Sequence, residues 1–131
     1  MKCPYCGNDA EWIPNEQVYG KRYGKSYMCY YCRPCDAYVG CHNNTREALG
    51  TMANKELREW RHKAHLIFDP LWQKWGLTRK EAYKILDTYF RKEIHIGEAD
   101  IETCKRIINY IQLNYESNTR KDDNNVSTQS V

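Results

Sequence analysis

Two pairs of cysteines at matched spacing are the residues of this chain best suited to chemistry. Cys3-Pro4-Tyr5-Cys6 is followed by Gly7, and Cys32-Arg33-Pro34-Cys35 repeats the spacing further along. A tight turn of this kind brings two sulfurs within reach of one ion. Proline stiffens the turn, and a glycine after the second ligand tolerates positive φ. Two such pairs make a tetrahedral four-sulfur site of the zinc-ribbon kind. With every position held by protein, such a site stabilises a fold and leaves no place for a reacting water. One structural Zn²⁺ on Cys3, Cys6, Cys32 and Cys35 is the expectation. Cys29 keeps an alternative open, because Cys29 with Cys32, or Cys29 with Cys35, would also form a second pair. Cys41 beside His42 is a weaker candidate for a second metal, since adjacent residues rarely chelate one ion. Cys104 falls on an apolar helical stripe and is expected to be buried as a small hydrophobe.

A second group of residues is suited to holding nucleic acid. Seven of the eleven tyrosines lie in the first forty residues: Tyr5, Tyr19, Tyr23, Tyr27, Tyr30, Tyr31 and Tyr38. Basic residues are interleaved with them, and the expected contact set is Lys21, Arg22, Tyr23, Lys25, Tyr27 and Arg33. Flat aromatic faces stack on unpaired bases while cations track phosphates, so the combination suits a single or structured strand. The plainer reading is that tyrosines pave a small sheet and lysines keep it in solution. A protein-binding module is the alternative function, a factor that inhibits or redirects a host enzyme or defence system. Aromatic anchors such as Trp72 and Trp75 would serve it.

A third constellation raises catalysis. His65 and Asp69 stand one helical turn apart, Arg58 and Arg61 flank them, and His95 precedes Gly97. Together they suggest a polar site able to hold a divalent metal and a phosphate, as a nuclease needs. The simpler account is that His65 bonds Asp69 and steadies the turn before Pro70. There is no glycine-rich phosphate loop and no nucleophile motif, so the balance leans away from an enzyme.

These residues must be positioned by elements of two kinds. The chain has 131 residues, 41% hydrophobic and 28% charged, enough for one domain or two small modules. Residues 1–50 are rich in Cys, Tyr and Gly without a helical period. Trp12, Ile13, Val18, Tyr19, Tyr23 and Tyr27 favour short antiparallel strands, with Asn15, Gly20 and Gly24 as places to turn. So small a sheet buries too little to stand without a metal staple. Residues 51–115 read as about three helices. Ala53, Leu57, Trp60, Ala64 and Ile67 mark the first, which Pro70 ends or bends. Thr78-Arg79-Lys80-Glu81 is a capping box that opens the second, through Ala82, Ile85, Leu86, Tyr89 and Phe90. The third opens near Asp100 and aligns Ile101, Cys104, Ile108, Ile111 and Tyr115. Residues 116–131 are polar and read as a disordered tail. The expected fold class is α+β, a small zinc ribbon followed by a compact helical bundle.

The formal charge of +3 falls to about +1 once four thiolates and a Zn²⁺ are counted, so overall charge does not argue for a polyanionic partner. No apolar run is long enough to span a bilayer, and Met1-Lys2-Cys3-Pro4 lacks the apolar core of a secretion signal. A cytoplasmic protein with no membrane partner is expected, where clustered cysteines are metal ligands more often than disulfides. Oligomeric state has no signature in the sequence.

Several uncommon short strings occur in a fixed order: Cys3-Pro4-Tyr5-Cys6-Gly7, Val18-Tyr19-Gly20, the run from Cys35 to His42, and the run from Leu49 to Arg58. Ala64-His65, Phe68-Asp69-Pro70-Leu71-Trp72, Glu81-Ala82-Tyr83, His95-Ile96-Gly97 and Cys104 follow. In these the chain resembles, over residues 1 to 112, a family of small phage proteins, the zinc-finger-containing domain of unknown function. The resemblance implies a phage or prophage origin, a bound zinc and action inside an infected bacterial cell. It implies no activity, and Cys29 is a departure from the family's pattern.

Overall fold

The computed structural model describes residues 1–21, 24 and 27–116. Of the expected nucleic-acid contacts, Arg22, Tyr23 and Lys25 lie outside the described residues, as does the expected tail from residue 117 onward. The fold is α+β. Backbone contacts divide the chain into two units, Met1–Glu59 and Trp60–Val131.

The first unit is built on a three-stranded antiparallel sheet in the order β1-β2-β3, with β1 at Glu11–Pro14, β2 at Met28–Cys32 and β3 at Ala37–Gly40. Glu11 pairs with Tyr31 and Ile13 with Cys29, while Cys29 pairs with Gly40 and Cys32 with Ala37. Side chains alternate between the faces of a strand. Trp12, Met28, Tyr30, Cys32, Ala37 and Val39 therefore share one face, and Ile13, Cys29, Tyr31 and Tyr38 share the other. On the first face Cys3, Cys32, Ala37 and Met52 form a small buried cluster, edged by Ala10, Tyr30, Cys35 and Val39. So few apolar side chains cannot hold a sheet of this size by themselves.

One strand expectation is replaced by a helical turn. Val18 and Tyr19 have the shape preferences of strand residues, yet α1 spans Glu16–Tyr19. The backbone N–H groups of Val18 and Tyr19 both donate to the Asn15 carbonyl, and Gly20 closes the turn at φ 86°. A segment this short, closed within itself, has no edge left to pair, so local backbone bonding outweighs the side-chain preference.

The second unit is helical. Helix α2 (Lys55–Phe68) carries the unit boundary within it. It is followed by α3 (Pro70–Gln73), α4 (Arg79–Phe90), a 3₁₀ turn at Ile96–Glu98 and α5 (Ile101–Ile111), which runs on into a π-helical turn at Gln112–Glu116. Pro70 begins α3, at a position where its missing N–H costs nothing. The core comprises Ala64, Phe68, Leu71, Ala82, Leu86, Ile94, Ile96, Ala99, Cys104, Ile107 and Ile111. The helical spacing places Ala64, Ala82, Leu86, Cys104 and Ile111 in it, and the fold adds Ile94 and Ile96 from the connection between α4 and α5.

Both long C-terminal helices start with side-chain caps. Asp100 accepts from the Thr103 N–H at 2.8 Å. Thr78 Oγ1 accepts from the Glu81 N–H at 3.0 Å while Glu81 returns the bond from the Thr78 N–H at 2.8 Å. Thr78→Ala is expected to destabilise the helical unit by about 1 kcal/mol, because a backbone donor loses its partner. Chemical denaturation followed by circular dichroism measures it, and an unchanged midpoint would show that the cap is replaced by water without cost.

Candidate metal centre

The centre is assembled from two turns. In the first, Cys3 donates its N–H to the Asn8 carbonyl at 2.8 Å and accepts at its own carbonyl from Gly7 at 2.8 Å. Gly7 lies at φ 79°, in the left-handed region that only glycine enters freely. The second turn joins β2 to β3. Asp36 donates its N–H to Arg33 at 3.2 Å and takes a left-handed φ of 50°. Each turn presents its two sulfurs toward those of the other.

The four sulfurs of Cys3, Cys6, Cys32 and Cys35 lie within 4.8 Å of one another, and those of Cys6 and Cys32 are 3.6 Å apart. Four sulfurs placed about 2.3 Å from a central zinc would be about 3.8 Å from each other. The donor set therefore fits a tetrahedral divalent ion. Cys3 and Cys32 are buried while Cys6 is exposed and Cys35 intermediate, so the site is shielded by the sheet on one side and open to solvent on the other.

Metal-free, the cluster accepts one negative charge and resists the next. Burial acts to raise the Cys3 thiol, but backbone N–H groups of Tyr5 and Cys6 and the thiols of Cys32 and Cys6 outweigh it, bringing Cys3 down to about 7. At Cys35, burial and then the thiols of Cys6, Cys32 and Cys3 push the group up to about 12. Cys32 is also raised: the Cys35 backbone N–H lowers it, but burial and the thiols of Cys6 and Cys3 prevail. One thiolate shared by neighbouring S–H donors is what four crowded sulfurs do without a cation. A divalent ion reverses this by neutralising the charges that the thiols otherwise keep apart.

The strand alternation explains why Cys29 is outside the cluster. Cys29 and Cys32 are three residues apart on β2, an odd separation, so their side chains emerge on opposite faces. Cys29 is fully buried on the other face, where burial and then Cys41 raise its thiol to about 11. Cys41 is buried too, and His42 faces Glu47 at 3.8 Å. Cys104 is buried in the helical core, and burial raises its thiol. Among the described residues, the four clustered cysteines are the one group of three or more Cys, His, Asp or Glu side chains able to hold a metal ion.

The remaining candidates fall in both units. Arg33 donates to both Glu11 carboxylate oxygens, at 2.8 and 3.4 Å. Tyr27 and Lys21 are exposed. Arg58, in the first unit, donates to the Asp36 carbonyl at 2.6 Å, to Ala53 at 2.9 Å and to the Asp36 carboxylate at 3.2 Å, with its guanidinium over Tyr38. In the second unit Arg61 donates to the Ala99 carbonyl at 2.9 Å. His65 Nδ1 lies 3.7 Å from Asp69, whose carboxylate also accepts from the Trp72 indole at 3.3 Å. Burial lowers the His65 pKa more than Asp69 raises it, which favours the neutral imidazole. His95 bonds Glu93 at 3.0 Å. Arg33, Arg58, Arg61, His65, Asp69 and His95 thus each have a polar partner within their own unit.

The sequence reading did not single out Arg46. Its guanidinium lies 4.0 Å from the centroid of the Trp12 ring, on the same sheet face as the cysteine cluster. Thirty-four positions separate the two residues, and no local pattern links them. Among the described residues, no helix is long and apolar enough to cross a membrane.

No curated protein and no solved structure matches the chain. Residues 1–114, which include both cysteine turns and all five helices, match the family described as a zinc-finger-containing domain. With the four sulfurs converging as such a finger requires, the chain belongs to the zinc-finger-containing domain family.

Proposed function

We propose that this protein is a zinc-stapled binding module whose first unit contacts single-stranded or structured nucleic acid. One structural Zn²⁺, held by Cys3, Cys6, Cys32 and Cys35, keeps the two turns and the sheet together, and a four-sulfur site has no open position for catalysis. The observation that carries the nucleic-acid reading is the aromatic and cationic surface around the sheet. Tyr5, Tyr19 and Tyr27 are exposed, and the Arg46 guanidinium lies against Trp12. Aromatic faces with cations beside them bind unpaired bases and their phosphates with little sequence preference. The family resemblance adds the setting, a phage protein working in the cytoplasm of an infected bacterium.

A second reading is a contact with a host protein. Three basic residues of the first unit are already paired with carboxylates: Lys2 with Asp9, Arg33 with Glu11, and Arg58 with Asp36. This reduces the field available to steer a polyanion. In the second unit the exposed Trp75 and Leu113 offer apolar anchors.

Fluorescence anisotropy of labelled single- and double-stranded oligonucleotides against zinc-loaded protein separates the two. The expected result is micromolar or tighter binding to the single strand, falling steeply as salt rises because phosphate contacts release counterions. Absence of binding at low salt would reject the nucleic-acid reading and leave the host-protein reading.

A further inference from the structure

One polar atom in the first unit has no partner. The indole N–H of Trp12 is buried from water and makes no hydrogen bond, alone in this among buried side-chain atoms of the described residues. A buried donor without an acceptor is unfavourable, and such groups are uncommon unless a ligand or water supplies the acceptor. Trp12 lines a cleft of about 340 Å³ with Tyr27, Met28, Asn44, Thr45 and Arg46, a volume within the range of small-ligand sites.

The cleft has a built wall. The loop after β3 turns back on itself: His42 donates its N–H to Glu47, Thr45 Oγ1 donates to the His42 carbonyl and accepts from the Glu47 N–H, and Cys41 bridges to Ala48. Tyr30 on β2 then pins the loop, its hydroxyl donating to the Arg46 carbonyl at 2.7 Å. This holds the Arg46 backbone above the sheet and lays its guanidinium on the Trp12 face.

Arg46 differs from the other described arginines of its unit. Arg33 and Arg58 are each committed to a carboxylate, whereas the Arg46 guanidinium has a ring contact and no carboxylate beside it among the described residues. Stacking uses the flat face of a guanidinium and leaves its in-plane N–H edge, which matches a phosphate. The cleft thus brings together an aromatic wall, an anion-binding edge and the Asn44 carboxamide, a group able to pair with the edge of a base, and the unpartnered indole N–H belongs to Trp12, one of the residues that line it.

We propose that this cleft holds one unpaired nucleotide of a bound strand. Its base lies among Trp12, Tyr27 and Met28, its phosphate meets the Arg46 edge, and a base or sugar oxygen accepts from the Trp12 indole N–H. This assignment rests on the nucleic-acid reading above and names where that contact is made. An orphaned donor is then a site held ready for its ligand, at a cost to the free protein.

The test uses zinc-loaded full-length protein with labelled oligothymidylate as the probe, together with the Trp12 indole N–H resonance, assigned by its loss in Trp12→Phe. Wild-type protein is expected to bind at low salt and to shift that resonance. Arg46→Ala should weaken binding about tenfold or more, and Trp12→Phe, which keeps a ring but no donor, about fivefold. Lys80→Ala, at an exposed position on α4, should change it little. Trp12→Phe loses the unpaired donor together with part of the ring that Arg46 stacks on, so its zinc content and melting temperature are measured to report that it is folded. If wild type binds but both cleft variants bind equally well and the resonance stays still, the cleft is rejected while the nucleic-acid reading stands. No oligonucleotide binding by wild type would reject both. Displacement of the oligonucleotide by equimolar thymidine monophosphate would make the occupant a free nucleotide, and a resonance shift by an acidic peptide alone would make it a protein. Either outcome overturns the proposal.

Discussion

Removing the metal is expected to unfold the first unit. Chelation of zinc-loaded protein should abolish the near-UV signal of the tyrosines packed on the sheet and Trp12, while most of the far-UV helical signal of the second unit remains. The reason is the small apolar cluster around Cys3, Cys32, Ala37 and Met52. It cannot offset the entropy of ordering two turns and three short strands. Zinc bound to four thiolates supplies about 10–16 kcal/mol at neutral pH, and in a small module this is folding free energy. Cys35→Ser should lose the metal and the sheet together, whereas Cys104→Ser should retain a full equivalent. A Cys35→Ser protein that keeps its zinc would show that the ligand set is wrong.

The same site makes stability depend on pH with a definite sign. Cys3 is brought down to about 7, while Cys35 is pushed up to about 12. Metal binding near neutral pH must therefore displace protons from thiols held protonated, so protons compete with zinc. Apparent affinity is full well above pH 7 and falls as pH drops, with release of metal and unfolding expected by about pH 5. Zinc release followed with a chromophoric chelator across that window measures it. A site insensitive to acid would not be a thiolate site.

Phe68→Ala is the second large effect. Phe68 is fully buried at the end of α2, with its ring centroid 4.5 Å from that of Tyr83 on α4. Truncation removes most of the side chain and leaves a cavity bounded by residues fixed in three helices. The expected cost is about 3–5 kcal/mol. Small domains have only about 5–15 kcal/mol in total, so the variant should be partly unfolded at physiological temperature. Urea denaturation followed by far-UV circular dichroism gives the value. A cost below about 1 kcal/mol would mean that the helices close around the gap. Because Phe68 belongs to the second unit, the variant should still bind zinc.

What could be read from the residues was local. The cysteine turns, the capping box at Thr78, the Asp100 cap and the break at Pro70 each depend on a few neighbouring positions. Helical spacing picked out Leu86 and Cys104 as core because every third or fourth residue returns to one face. Ile94 and Ile96 were not legible this way, since their burial comes from a connection with no period. Val18 and Tyr19 misled because side-chain preference does not reveal whether a partner strand is within reach.

The surface was the least legible part. Lys21, Arg22, Tyr23, Lys25, Tyr27 and Arg33 looked like one basic and aromatic patch because they are close in sequence. The fold pairs Arg33 with Glu11, twenty-two positions away, and lays Arg46 against Trp12. Ion pairs and stacks between distant residues have no local signature.

The sequence alone therefore determined that the chain carries paired metal-binding turns ahead of amphipathic helices, since spacing and periodicity are properties of neighbours along the chain. Which cysteines meet was decided by the tertiary structure. Spacing favoured Cys32 with Cys35 but left Cys29 open as an alternative; the alternation of β2 sends Cys29 and Cys32 to opposite faces of the sheet. The Trp12 cleft is likewise a product of the fold, because strand pairing and the pinned loop bring together residues that the chain keeps far apart.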